Sequence, residues 1–255
     1  MGRLKPVLGL ALFAFVWEVV AASRLVPTDY FPTVQTIARA LFELIGSRGF
    51  WMNVAATCLR LFAGFALAVL LGLALALVCF RVKLIGRMLE PVVEILRVLP
   101  PPALAPIAIY ALGLGPRMFL FLIVNAALWP IYINASNALS GVEPLQLLTG
   151  RAYGYSRLEC LILLQFPAAL PQIFTGLRIA AGFALLATIA AEMLAGTDGL
   201  GYQLYEAGFS LRTPQMFALM FTIGLLGILL QLGIGLCRRA FVDWHDALAA
   251  MGQAV

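Results

Sequence analysis

Long apolar stretches that carry at most one charged residue recur along the chain and dominate its pattern. They run over Pro6–Ser23, Leu61–Phe80, Val98–Pro116, Met118–Val142, Gln172–Ala191 and Thr213–Cys237. A helix needs about 20 mostly apolar residues to cross the hydrocarbon core of a bilayer. The pattern therefore predicts six transmembrane helices, and the continuous rather than alternating runs argue against a barrel of strands.

The composition supports a protein whose solvent is mostly lipid. Of its 255 residues, 63% are hydrophobic and 11% are charged. A soluble domain is about 45–50% apolar and about 25% charged, and a soluble fold of this size could not bury so much apolar surface. A soluble enzyme and a disordered chain are therefore excluded. The expected fold class is an all-α polytopic membrane protein.

The distribution of arginine and lysine predicts the orientation of the spans. With six spans both termini lie on one side, and more of these residues fall on that side than on the other. Cytoplasmic loops carry such an excess in membrane proteins. We therefore expect both termini in the cytoplasm. The net charge of +5 reflects this asymmetry rather than a surface for nucleic acid.

The spans and loops divide the sequence into three parts. Residues 1–55 contain the first transmembrane helix and an outer amphipathic helix; residues 56–240 form a core of five transmembrane helices with a cytoplasmic loop at about 143–170; residues 241–255 form a short cytoplasmic tail. The amphipathic helix covers Phe31–Arg48 and either lies along the membrane surface or packs between spans. Its predicted apolar face consists of Val34, Ile37, Ala38, Leu41 and Ile45.

The residues that enzymes and metal sites need are sparse. The four cysteines are far apart and the single histidine, His245, has no companion ligand, so no metal site is expected. A nucleotide-binding P-loop requires a lysine after a glycine, and neither Lys5 nor Lys83 follows one. The chain is therefore expected to be a transport protein rather than an enzyme.

Two predicted spans carry stripes of small residues at helical spacing, which let helix backbones approach closely in lipid. The stripe of the second span is predicted to pack against a neighbouring helix and consists of Gly64, Ala68, Gly72 and Ala76. The stripe of the fifth span consists of Gly176, Ala180, Ala184 and Thr188, and it ends at Glu192. A carboxylate there either reaches the interface or faces a polar cavity. We expect Glu192 to hydrogen-bond the following loop, Gly196–Gly201, or a second copy of the chain.

The third and fourth spans contain polar residues and prolines that could line a route through the bundle. Glu94 and Arg97 are spaced to pair, and the three prolines after them should break the helix where protein or water covers it. The polar residues of the fourth span could also form hydrogen bonds between helices. The candidate pathway residues are Asn125, Thr188, Glu192, Pro100 and Pro101.

The segment Glu143–Pro171 carries a motif. It resembles the cytoplasmic loop of binding-protein-dependent ABC importer permeases, with Gly154 on the motif's glycine and Pro167 on its proline. The Glu-Ala-Ala that opens the motif is absent, since Leu148-Thr149-Gly150 occupies its place. The stretches RVLPPPALAPIAIYALGLG, PAALPQIFTGLRIA and AEMLAGTDGLGYQL are similar to the nitrate, sulfonate and taurine branch of that family.

The resemblance implies a type I ABC importer permease fold and a coupling helix near Gln146–Leu158 that docks on a separate ATPase subunit. The coupling residues it implies are Arg151, Ala152, Tyr153, Gly154, Tyr155, Ser156, Arg157 and Pro167. It implies two ATPase subunits that bind ATP and magnesium, so that the chain itself needs no cofactor. It further implies an extracytoplasmic solute-binding protein, a second permease copy of identical sequence, and the bacterial inner membrane.

The resemblance favours a small anion such as nitrate, taurine or an alkanesulfonate as cargo. A heteroaromatic vitamin precursor is the alternative. An ATP-independent secondary transporter would need acidic residues near the middle of its spans for ion coupling, and Glu18 and Glu192 both lie toward span ends.

Overall fold

The computed structural model describes residues 4–23, 27 and 30–252, and every regular element in that part of the chain is a helix. The helices are α1 (Leu4–Ala22), α2 (Val34–Ile45), α3 (Arg48–Arg81), α4 (Lys83–Leu96), α5 (Pro101–Leu112), α6 (Pro116–Ser140), α7 (Pro144–Ala152), α8 (Arg157–Glu159), α9 (Phe166–Ala195), α10 (Leu200–Phe209) and α11 (Thr213–Gly252), with a π-helical turn at Cys160–Gln165 before α9. The predicted all-α class is confirmed.

The described residues contain four continuous helical runs that are long and apolar enough to cross a membrane, or five if a bent pair counts as one span. The four runs are Arg48–Arg81, Pro116–Ser140, Arg157–Ala195 and Thr213–Val242. The prediction of six included α1, whose described apolar part, Ala11–Ala22, is shorter than a span. It also included the third span, which covers only α5, the second helix of the bent pair.

The predicted third span, Val98–Pro116, holds only the short helix α5, and the preceding helix α4 lies outside the predicted range. The chain bends by 103° between α4 and α5. Proline removes a backbone donor and clashes with the preceding turn, so Pro100-Pro101-Pro102 ends one helix and begins the next, as predicted. α5 has 12 residues, about 18 Å at about 1.5 Å per residue, against a core of about 30 Å. The predicted pair forms, with Arg97 Nε donating to Glu94 Oε2 at 2.9 Å.

The chain divides into two compact units, and the first comprises residues 1–58 and 192–226. Its aromatic cluster centres on Trp17, which stacks on Phe31 with ring centroids 4.2 Å apart and meets Phe217 edge-on at 5.3 Å. Trp17 Nε1 donates to the carbonyl of Pro32 at 3.0 Å, and Glu18 Oε2 accepts from Val34 N at 2.9 Å. These contacts fix the start of α2 against α1.

The apolar face of α2 differs from the predicted one. Ile37 and Ala40 are buried against Ala218, and Leu41 and Leu44 pack on the same cluster. The predicted face members Val34 and Ile45 are each 41% exposed. The partners of α2 lie on one side of its apolar arc, so that side is buried. This packing places α2 against residues of α1 and α11.

The second unit comprises residues 59–191 and 227–255, and α6 lies between α3 and α9 in it. A β-carbon on Gly64 would lie 2.5 Å from Ile123 Cγ2, and one on Gly72 would lie 2.9 Å from Ile131 Cγ2. From the other side, a β-carbon on Gly176 would lie 2.6 Å from Asn134 Cβ. Both small-residue stripes are buried throughout. Because these glycines carry no side chain, α6 lies close to α3 on one side and to α9 on the other.

The sequence-based boundaries at 55/56 and 240/241 fall inside helices. The first lies within α3, and α11 continues through Gly252 into the stretch set apart as a tail. Residues 253–255 of that stretch lie outside the described residues. Next to α9, α11 is fixed by a double hydrogen bond, in which Arg178 Nε donates to Gln231 Oε1 at 3.1 Å and Gln231 Nε2 donates to the Arg178 carbonyl at 3.0 Å.

Candidate functional site

A cavity of about 630 Å³ lies beside the break between α4 and α5 in the second unit. Small-molecule sites occupy about 300–1,000 Å³. Its lining residues come from the end of α4, the proline linker, α6 and α9: Leu96, Arg97, Val98, Leu99, Pro100, Pro101, Pro102, Asn125, Ala126, Trp129, Pro130, Ile133, Asn134, Phe183, Leu186, Ala187 and Ala190. Three predicted pathway residues, Pro100, Pro101 and Asn125, therefore meet in one cavity.

The polar side chains that line this cavity are two asparagines, one arginine and one tryptophan. Asn125 Oδ1 accepts from Trp129 Nε1 at 3.3 Å, so its amide nitrogen lies on the other side, where it is buried and makes no hydrogen bond. Asn134 Nδ2 donates to the carbonyl of Pro130 at 2.8 Å. Arg97, which is paired with Glu94, is the only charged side chain that lines the cavity among the described residues. This chemistry suits an anion better than a cation.

A second cavity of about 280 Å³ lies between α4 and α6 in the same unit. Its polar lining residues are Glu90, Glu94, Tyr132, Ser136, Asn137 and Ser140. Ile133 lines both cavities. Asn125, Trp129, Ile133 and Asn137 follow one another at four-residue spacing, so one face of α6 runs along both cavities. Trp129, Ser136 and Ser140 were not predicted as lining residues, although the four-residue spacing would have indicated Trp129.

The other two pathway candidates lie elsewhere. Thr188 is fully buried, and its hydroxyl donates to the carbonyl of Ala184 at 2.8 Å. Glu192 is also fully buried, in the first unit. Neither residue lines the cavity beside the helix break.

The Glu192 carboxylate takes part in a buried hydrogen-bond network at the start of α10. Thr57 Oγ1 donates to it, at 2.9 Å from Oε2 and 3.0 Å from Oε1, and Gly201 N donates to Oε2 at 2.9 Å. Thr57 Oγ1 also accepts from Leu200 N at 2.8 Å, and Asn53 Oδ1 accepts from Gly199 N at 2.6 Å. Side chains of α3 and α9 thus satisfy the first N–H groups of α10, which have no partner within that helix.

The sequence predicted the bond from Glu192 to its following loop, and the structure shows it. It did not predict Asn53 and Thr57, although their four-residue spacing places both on one face of α3. Gly199 is part of the same arrangement. Its φ of +104° suits glycine, and a β-carbon there would lie 2.4 Å from the Glu192 carboxyl carbon.

The predicted coupling segment forms a short helix followed by a sharp turn. α7 begins at Pro144 and ends at Ala152, earlier than the predicted end at Leu158. It ends early because Gly154 has a φ of +85°, in the left-handed region that commonly terminates helices. The next helix starts with a capping box, in which Ser156 Oγ accepts from Glu159 N and Glu159 Oε2 accepts from Ser156 N.

The coupling segment presents its side chains outward. Tyr153 is 80% exposed, and Leu145 and Leu148 are 64% and 59% exposed. The remaining predicted coupling residues from Arg151 to Arg157 are also exposed, and Pro167, in the first turn of α9, is half-buried. An exposed apolar and aromatic patch of this kind is typical of an interaction surface.

Gly150 was not predicted as a coupling residue, but it holds α7 against the π-helical turn. It is buried, and a β-carbon there would lie 2.5 Å from Leu164 Cδ1 and 3.3 Å from Cys160 Sγ. This glycine stands where the loop motif has its second alanine. The close approach explains why a still smaller residue occupies that position here.

Comparison with known proteins identifies the family. Residues 68–248 match the family of binding-protein-dependent transport system inner membrane components. The taurine transport system permease protein TauC of Escherichia coli is 30% identical over 92% of this chain and 88% of its own length. The nitrate import permease protein NrtB of Synechocystis is 31% identical over 89% of this chain and 85% of its own length.

The fold agrees with a solved importer. A chain of the inward-facing MetNI methionine ABC transporter superposes with a TM-score of 0.58 at 21% identity, covering 76% of this chain and 94% of that one. These relatives favour neither a vitamin-precursor importer nor an ATP-independent transporter. The chain belongs to the family of binding-protein-dependent transport system inner membrane components: it is a multi-pass permease subunit of an ABC importer, whose ATPase is a separate subunit.

Proposed function

We propose that this permease imports a small anion, delivered by an extracytoplasmic binding protein and driven by two ATPase subunits. The observation that carries the proposal is the cavity beside the helix break, whose lining among the described residues includes Arg97 and Asn125 and no carboxylate. The curated relatives are named for taurine, nitrate and bicarbonate, each of which bears an anionic group.

The pathway in this proposal follows the face of α6 that runs from Asn125 to Ser140 along both cavities. One subunit supplies half of a symmetric pore, so we propose that two identical copies enclose the route. Both termini face the cytoplasm in this arrangement, as the excess of arginine and lysine on that side favours.

Energy coupling in this proposal passes through α7 and the turn after it. The exposed side chains of Leu145, Leu148 and Tyr153 form a patch that a groove on the ATPase would cover. Gly150 packs α7 against the turn that leads directly into α9. A displacement of α7 by the ATPase would therefore reach a membrane-spanning helix, as an alternation between two states requires.

The proposed cargo class is tested by reconstitution. The permease, its ATPase and its binding protein are placed in proteoliposomes, and uptake of radiolabelled taurine, nitrate and bicarbonate is measured with and without ATP. We expect at least one of these anions to be taken up only when ATP and the binding protein are both present. Uptake of none of them, together with uptake of a neutral or cationic solute, would overturn the anion proposal.

Coupling is tested by Tyr153→Ala. Removing an exposed aromatic side chain from the centre of an interface costs about 2 kcal/mol or more, a loss of roughly 30-fold in affinity. We expect the ATPase to be lost from the permease during co-purification. The matched control is Tyr30→Ala, since Tyr30 is 64% exposed and lies outside the coupling segment. Equal ATPase retention by the two variants would place the docking surface elsewhere.

A further inference from the structure

The surface of α4 divides into three sectors that run along the helix. One sector packs on residues of α3 and α6 through Ile85, Leu89 and Val93. The second sector is polar, and its members follow one another at three- or four-residue spacing: Lys83, Arg87, Glu90, Glu94 and Arg97. The third sector is apolar and exposed, and it consists of Leu84, Met88, Val92 and Ile95. An exposed apolar surface next to a charged one is typical of a contact with a membrane or with another protein.

Three cations lie where α3 ends and α4 begins. Arg81 is the last residue of α3, and Lys83 and Arg87 belong to the start of α4. All three side chains are exposed, and none makes a hydrogen bond or an ion pair within the part of the chain that the structure describes. Glu94 is paired with Arg97 at the other end of α4. The start of the helix therefore carries a positive charge that the chain itself does not neutralise.

We infer that α4 is an interfacial helix that binds the head groups of anionic phospholipids. A helix with basic residues on its polar side and a free apolar side lies in the plane of the membrane interface. The 14 residues of α4 reach about 21 Å at about 1.5 Å per residue, less than the hydrocarbon core of about 30 Å. Lipid phosphates would contact the three cations, and acyl chains would cover the apolar sector.

The apolar sector continues the exposed side of a membrane-spanning helix. Leu77 and Val78 near the end of α3 are exposed, as is Val82 between the two helices. Leu84 and Met88 follow them at 67% and 68% exposure. One apolar surface thus extends from the span of α3 onto α4, with the cations at its edge. This is the arrangement that a lipid molecule, with its charged head and apolar chains, can cover.

A second copy of the chain is a poorer partner for this surface. In a two-fold interface the same patch faces itself, so the three cations of one copy would lie near those of the other. Like charges that face each other across an interface repel, and their removal from water adds to the cost. A free phosphate ion would offer nothing to the apolar sector. Anionic phospholipid supplies both the opposite charge and the apolar chains.

Quenching by brominated lipids tests the inference in nanodiscs that hold the assembled permease–ATPase complex. Met88→Cys carries a bimane fluorophore, in a chain whose four native cysteines are changed to alanine. The nanodiscs contain equal amounts of phosphatidylglycerol and phosphatidylcholine, and only one of the two lipids is brominated near its head group in each sample. Lysine and arginine near a membrane surface attract anionic lipid, so phosphatidylglycerol should quench at least about fivefold more strongly than phosphatidylcholine.

Two triple variants identify the cations responsible. Removing the three charges should abolish the preference for phosphatidylglycerol but leave quenching itself, since the apolar sector still contacts lipid. This variant combines Arg81→Gln, Lys83→Gln and Arg87→Gln. The matched control changes the net charge equally at exposed arginines outside α4 and should keep the preference; it combines Arg39→Gln, Arg48→Gln and Arg117→Gln.

Three results would overturn the inference. Absence of quenching by either lipid would mean that protein covers the apolar sector, as a second copy of the chain would. Equal quenching by both lipids would mean contact without a preference for a charged head group. Equal loss of the preference in both triple variants would make net charge the cause. The comparison of the two lipids needs no charge variant, so it tests the inference even if a triple variant fails to assemble. No cargo takes part, so the proposed anion import is tested separately.

Discussion

The permease carrying Glu192→Ala is expected to lose most of its assembled, detergent-stable form. The substitution leaves the Thr57 hydroxyl and the Gly201 N–H buried without their acceptor. Each such group costs about 1–3 kcal/mol, and the void left by the side chain adds to this loss. The total of at least about 3 kcal/mol is a large part of the stability of a typical domain. Yield after purification and the thermal midpoint of the complex measure it.

The matched control is Glu206→Ala in the same unit. Glu206 pairs with Arg212 at 3.1 Å, but the two side chains are 50% and 47% exposed, so their pairing contributes less than about 1 kcal/mol. Glu192→Gln keeps one acceptor oxygen and should fall between the two alanine variants. Its cargo preference should equal that of the unmodified chain, since Glu192 does not line the cavity beside the α4–α5 break. If Glu192→Ala is as stable as Glu206→Ala, the buried network does not hold α10.

Features set by local chemistry could be predicted from the sequence. Apolar runs indicate helices because lipid offers the backbone N–H and C=O groups no hydrogen-bond partners, so each segment must bond within itself. The three prolines mark the break before α5 because proline has no N–H to donate. The bond between Glu192 and Gly201 could be predicted because the two residues are close in sequence and a buried carboxylate needs donors.

Features set by distant partners could not be predicted in the same way. Which side of α2 is buried depends on Trp17 and Phe217, and the apolar arc of α2 is wide enough to allow several orientations. Thr57 reaches Glu192 and Leu200 across more than half of the chain, and no local pattern connects them. The cavity has the same origin, because three separate segments of the sequence supply its wall.

The form of the π-helical turn depends both on local chemistry and on a distant partner. It occupies Cys160–Gln165, directly before the first turn of α9, where Pro167 lies. Proline interrupts the regular hydrogen-bond ladder of the preceding turn, and a π-helical turn is one way for a helix to accommodate that interruption. Pro167 therefore predicts an irregularity, whereas its form depends on how α7 packs against the turn through Gly150 and Cys160.

Gly64→Leu is expected to prevent assembly of the permease. A β-carbon at this position would lie 2.5 Å from Cγ2 and 2.7 Å from Cβ of Ile123, which is itself fully buried on α6. Since Ile123 has no free space to enter, α3 and α6 would have to separate, and lipid offers no hydrophobic gain to offset the lost contact. Overpacking of a tight core costs about 1–3 kcal/mol for added methylenes alone, and displacing a whole helix costs more.

The matched control is Gly224→Leu on α11, where a β-carbon would have no atom within 4 Å, and this variant should assemble normally. The yield of monodisperse complex measures both variants, and equal yields would mean that the contact between α3 and α6 does not determine assembly.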